Sequence, residues 1–136
     1  MAPPALVCLP TADRATSFAF YRDGLGLEAI GALADDGVPE PLLFRLNDQT
    51  RLMLVPTGGF GWVIGDGHEV AGPGTSECVL GIGAGSDAEV DAIIERARAA
   101  GATVSSDPAP QPWGYASVFA DPDGHLWNVT SATLPG

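Results

Sequence analysis

The chain has 136 residues, the size of one ordinary domain, and its 46% apolar content is enough to build a core without disulfides or a structural metal. Seventeen acidic against six basic residues give a net charge of −11, which repels phosphate backbones and anionic lipid surfaces and argues against nucleic acid or a membrane as partner. The same charge would draw in a cationic small ligand, although it serves solubility equally well. Met1-Ala2-Pro3-Pro4 has no basic region, and the apolar run Ala5 to Leu9 is too short for a signal core or a span, so the expected location is cytoplasmic. Cys8 and Cys78 lie 70 residues apart without metal-type spacing and are expected to be reduced core cysteines.

Ala5-Leu6-Val7-Cys8-Leu9 reads as a first strand closed by Pro10. Thr11 or Asp13 then caps a helix whose apolar stripe is Phe18, Tyr21 and Leu25, ended by Gly24 and Gly26. Leu27 to Leu33 gives a second strand. Leu42 to Leu46, the polar turn Asn47-Asp48-Gln49-Thr50 and Arg51 to Val55 make a hairpin. Residues 57–76 carry seven glycines and read as a functional loop or linker holding Phe60 and Trp62.

A strand is expected over Glu77 to Ile82, followed by a helix capped by Ser86 with Glu89 three positions on. Val90, Ile93, Ile94 and Ala97 form its buried stripe, Gly101 ends it, and Ala102 to Ser105 is a short strand. Three prolines at 108, 110 and 112 lead to Trp113-Gly114-Tyr115. The last hairpin turns on Asp121-Pro122-Asp123-Gly124, where proline presets φ and glycine tolerates positive φ.

The halves repeat. Phe44 to Val55 matches Phe119 to Thr130 at an offset of 75, and the strand from Leu6 matches the strand from Val79 at 73. The expected fold is α+β, two βαβββ modules forming curved sheets around a cleft, with residues 1–56 as the first, 57–76 as the connector and 77–136 as the second. Each sheet has one helix on one face, so its other face must be closed by the second module, a partner chain or a ligand. Alternation puts Val7, Leu9, Leu52, Leu54, Leu80, Ile82, Trp127 and Val129 on the helix-covered side. The opposite parity, which includes Leu6, Cys8, Arg51, Met53, Val79 and Asn128, is mixed in size and polarity and suits a cleft.

Phe20-Tyr21-Arg22-Asp23-Gly24-Leu25-Gly26-Leu27 and Asp121-Pro122-Asp123-Gly124-His125 together resemble the vicinal oxygen chelate superfamily, the glyoxalase, bleomycin-resistance protein and extradiol dioxygenase group. The resemblance covers nearly the whole chain. In that family's enzymes it implies four metal-ligand positions, usually His, Gln or Glu, which fall here on Leu6, Met53, Val79 and Asn128, with Glu77 replacing Val79 if the strand register shifts by two. Such side chains do not hold a hard cation, so no metal and no cofactor is expected.

No other catalytic set stands out. His68 and His125 lie in turns without a Ser or Cys partner nearby in sequence, Asp66, His68 and Glu69 read as a solvated loop, and Gly81 to Gly85 lacks dinucleotide-type spacing. Phe60, Trp62, Trp113 and Tyr115 sit off any amphipathic stripe and are candidates for stacking a planar ligand. Bleomycin-resistance-type members are similar in lacking the metal, forming dimers and stacking planar drugs. The expectation is therefore a homodimeric, metal-independent protein that sequesters an aromatic or hydrophobic antibiotic or toxic metabolite. The expected contacts are Phe60, Trp62, Trp113, Tyr115, Met53, Asn128, Leu6, Cys8 and Arg51. The alternative is a glyoxalase-like lyase, isomerase or dioxygenase, metal-free or with shifted ligands.

Overall fold

A computed structural model describes residues 2–132. Residue 1 and residues 133–136, the outer ends of the two expected modules, lie outside the described residues. The first half runs β1 (Ala5–Thr11), α1 (Arg14–Ala19) continuing into a π-helical turn (Phe20–Gly24), β2 (Glu28–Ile30), β3 (Leu42–Asn47) and β4 (Thr50–Pro56). Next comes α2 (Thr57–Ile64), and the second half runs β5 (Leu80–Gly83), α3 (Asp87–Ala99), β6 (Thr103–Val104), β7 (Ala109–Gln111), β8 (Gly114–Ala120) and β9 (Leu126–Thr130).

The repeat holds in the pairing. One sheet has the order β1-β4-β3-β2 and the other β5-β9-β8-β6, with β7 added on β8. In each, the first strand of the module runs parallel to the last, a pairing that needs the intervening helix as a crossover. Val7 pairs with Leu52 and Leu80 with Trp127, so the offsets of 73 and 75 read from the sequence are those of the folded strands.

The helix-side parity is as expected. Leu9, Leu52, Leu54, Trp127 and Val129 are buried in a single cluster to which both halves contribute. Phe20 meets Phe119 at 6.0 Å between ring centroids, and Tyr21 lies between Phe44 (5.7 Å) and Trp127 (5.9 Å). The π-helical turn makes this possible. Its widened register turns the adjacent residues Phe20 and Tyr21 both inward, where a regular stripe through Phe18, Tyr21 and Leu25 would bury only the second.

Four local expectations are corrected. β1 does not stop at Pro10 but continues to Thr11; it is an edge strand, and alternate amides of an edge strand face away from its one neighbour, so a missing donor there costs no ladder bond. Residues 57–64 are not loop but helix, despite three glycines, because Phe60 is buried where α2 packs on β1 and β4. β5 begins at Leu80 rather than at Glu77, and Cys78 is exposed rather than in the core. The caps behave as read. Asp13 accepts from the amides of Ala15 and Thr16, and Ser86 accepts from Glu89 at 3.1 Å.

Candidate functional site

The turn between β8 and β9 is held by its own acids. Asp121 is buried, and its Oδ1 accepts from the amides of Asp123 (2.9 Å) and His125 (2.8 Å). Its Oδ2 accepts from the Tyr21 hydroxyl at 2.5 Å, and that hydroxyl in turn accepts from Trp127 Nε1 at 3.1 Å. Asp123 reaches the first module, taking the Ala12 amide at 2.8 Å and the Ser17 hydroxyl at 3.1 Å. His125 Nε2 lies 2.6 Å from the Pro10 carbonyl, which only accepts, so that nitrogen carries the proton. Burial raises the pKa of Asp121, and burial together with the neighbouring Asp121 charge pushes Tyr21 well above the phenol range.

Asp121, Asp123 and His125 bring their donor atoms within 4.8 Å of one another. Every carboxylate oxygen in the group already accepts from a protein donor, and the imidazole Nε2 is bonded to a carbonyl. The cluster is a clamp between the modules. Gly124 takes φ +91° to close it, a conformation that a Cβ disfavours.

On the faces away from the helices, Leu6 pairs with Arg51 and Cys8 with Met53 across β1 and β4. Asn128 pairs with Gly81 and Val118 on the other sheet. Leu6 and Val79 are 52% and 54% exposed, while Cys8, Arg51, Met53 and Asn128 are half-buried. The four positions at which a metal is implied therefore offer two aliphatic side chains, one thioether and one amide. Asn128 Oδ1 is buried without a hydrogen-bond partner, so a single neutral oxygen is the whole hard-donor supply. A divalent cation, which takes four to six oxygen or imidazole donors, does not fit these residues. Glu77, before β5, would add one carboxylate and still leave the set incomplete.

A cavity of about 660 Å³ lies where α2 and the connector fold over the ends of β1, β5 and β9. Its apolar walls include Cys8, Phe60, Ile64, Val70 and Leu126, and Glu69, Glu77, Asp123 and His125 are its ionisable lining. Of the expected contacts, the fold brings Cys8 and Phe60 together here. Leu6, Arg51, Met53 and Asn128 are on the open sheet faces outside the cavity wall.

The other aromatics go elsewhere. Trp62 is 90% exposed on α2, two positions from Phe60 and so on the opposite side of the helix. Trp113, 58% exposed, caps the turn between β7 and β8. Tyr115 shares the parity of Phe119, packs on the helix-covered core, and donates its hydroxyl to Asp91 of α3 at 2.6 Å. That acceptor raises the Tyr115 phenol to about 12. Tyr115, expected as a stacking contact, is therefore outside the cavity lining and tied to α3 instead. Ile64 was missed. It is four residues after Phe60 and so shares its helix face, a signal hidden while 57–76 read as loop.

Comparison with known proteins places this architecture. The family model of the Glyoxalase/Bleomycin resistance protein/Dioxygenase superfamily matches residues 4–129. Among solved structures, a glyoxalase-related enzyme from Fulvimarina pelagi superposes with TM-score 0.79 at 24% identity, covering 96% of this chain and 88% of that one. A lactoylglutathione lyase from Agrobacterium tumefaciens gives 0.68 at 24% identity, covering 96% and 93%. An antibiotic binding protein from Streptomyces sp. CB03234 gives 0.65 at 21% identity, covering 98% of each chain. No curated protein matches the chain. At these identities the likeness to the solved structures carries the fold alone.

Proposed function

This chain belongs to the Glyoxalase/Bleomycin resistance protein/Dioxygenase superfamily, and on that premise we propose that it binds a hydrophobic or aromatic small molecule without a metal ion. The observation that carries the reading is the pairing of an apolar cavity of about 660 Å³ with metal positions occupied by Leu6, Met53, Val79 and Asn128. A cavity of that size accommodates a drug-sized ligand. A planar ring against Phe60 gains about 0.5–1.5 kcal/mol beyond its area burial. The acids at the rim, Glu69, Glu77 and Asp123, favour a ligand that also carries a positive or hydrogen-bond-donating group.

Without a Lewis acid the chelate chemistry of the family's enzymes lacks its means of stabilising a developing oxyanion, which supports binding over turnover as the reading proposed for these residues. Sequestration of an antibiotic or toxic metabolite is the use we assign to it. The open sheet faces, which expose Leu6, Val79 and Val118, are the surface through which a second copy would complete a homodimer.

The test uses a neutral planar dye, N-phenyl-1-naphthylamine. Saturable fluorescence enhancement, weakened about tenfold by Phe60→Ala or Ile64→Ala in variants that still melt cooperatively, is the expected result. Enhancement indifferent to both substitutions, or absent in the native chain, would overturn the reading.

A further inference from the structure

On the other side of β5, between the modules and beneath the helices, lies a second cavity of about 560 Å³. Its walls are apolar, built by Leu25, Leu27, Leu46, Ile82 and Ile93, and Leu80 is shared with the wall of the first cavity. Among the described residues, Arg96 is the one charged residue in the lining. In a chain with six basic and seventeen acidic residues, a cavity whose only charge is positive departs from the rest of the surface.

The guanidinium is held in position without a direct ion pair, the Asp23 carboxylate feeling its charge from farther off. Its Nε donates to the Asp23 carbonyl at 2.7 Å, and it lies against Gly26, where an added Cβ would stand 3.1 Å from both terminal nitrogens. Among the described residues, ion pairs to carboxylates are made by Arg14, Arg22, Arg45 and Arg98, and none by Arg96. Arg51 is outside the lining but is tied to two residues within it. Arg51 Nη1 donates to the carbonyls of Asn47 (2.7 Å) and Thr50 (3.2 Å), both of them lining residues.

We propose that this cavity is a separate binding site for an amphipathic anion, a molecule with an apolar chain or ring system and a carboxylate head. The chain fills the space between Leu25, Leu46, Ile82 and Ile93, and the carboxylate takes two parallel hydrogen bonds from the free terminal nitrogens of Arg96. A carboxylate at the acid-rimmed first cavity would be repelled, so the two sites select opposite charges across the single strand β5.

Decanoate, kept below its micelle concentration, is the probe, titrated calorimetrically into the full chain beside decanol and decylammonium. Decanoate is expected to bind saturably and most tightly, to weaken about tenfold in Arg96→Gln, and to persist when the first cavity is filled with N-phenyl-1-naphthylamine. Decanol is expected to be indifferent to Arg96→Gln. Ile93→Phe, which narrows the cavity without touching charge, should weaken both. Absence of saturable decanoate binding, a preference for decylammonium, indifference to Arg96→Gln in a cooperatively folded variant, or one-for-one displacement of the dye by decanoate would each overturn the assignment. Because the native chain alone yields the charge preference, a variant that fails to fold does not decide the outcome. Loss of dye binding with decanoate binding intact would sink the proposed function and leave this site standing.

Discussion

The two modules share a backbone plan but not the use of their hairpin turns. Phe44 and Phe119, Leu52 and Trp127, and Leu54 and Val129 are repeat-related, and all six are buried. The turn of the first hairpin bonds within its own module, with Asn47 Oδ1 accepting from the Gln49 amide at 2.9 Å and the Gln49 carbonyl from the Ala5 amide at 2.8 Å. The equivalent turn of the second reaches back 100 residues or more to Ala12, Ser17 and Tyr21. Apolar pattern alone thus makes each module, whereas polar ties from one turn orient the second module on the first. The acids that mark the family signature serve here as fasteners.

The largest expected effects come from the shared core. Phe44→Ala and Phe119→Ala should each cost about 3–5 kcal/mol in urea denaturation, with a single transition in both variants. A two-step transition in which each substitution lowers only one step would break the view of one core built by two modules. Next is Asp121→Ala. It leaves the Tyr21 hydroxyl and two turn amides without an acceptor and should cost about 2–3 kcal/mol, while Asp48→Ala in the first turn stays within about 0.5 kcal/mol. Equal costs would erase the contrast between the turns.

A smaller effect concerns pH. Burial raises the folded pKa of Asp121, so the native state holds this proton more tightly than the unfolded chain does. The associated stability is present below the unfolded value of about 3.9 and is lost as pH rises through the folded pKa. Native protein should therefore lose stability relative to Asp121→Asn as pH rises from about 4; the opposite slope would contradict a charge held at a desolvation cost. The smallest effect is spectroscopic. With Tyr115 raised to about 12 and Tyr21 higher than its usual range, tyrosinate absorbance at alkaline pH should appear late, and Asp91→Asn should bring one phenol back toward about 10.

The sheets were legible in the sequence because strand alternation and turn chemistry are local signals. The Asp-Pro-Asp-Gly turn, the β3–β4 hairpin and the Ser86-capped α3 all stand where those signals put them. Elements that depend on distant contacts were not legible. Three glycines in 57–64 argue against a helix, and only the burial of Phe60 against β1 and β4 makes one. The π-helical turn that buries both Phe20 and Tyr21 leaves no periodic trace. For the candidate site, parity placed Cys8, Met53 and Asn128 on the open faces. Counting back from Phe119 by twos would have put Tyr115 on the core side, a step obscured by the three prolines before it.

The central claim, a ligand cavity that works without a metal, is tested most directly by titrating N-phenyl-1-naphthylamine into native protein before and after exhaustive treatment with EDTA, with the metal content of the same sample measured. The account predicts substoichiometric divalent metal and one binding curve unchanged by the chelator. A stoichiometric divalent ion whose removal abolishes binding would contradict it.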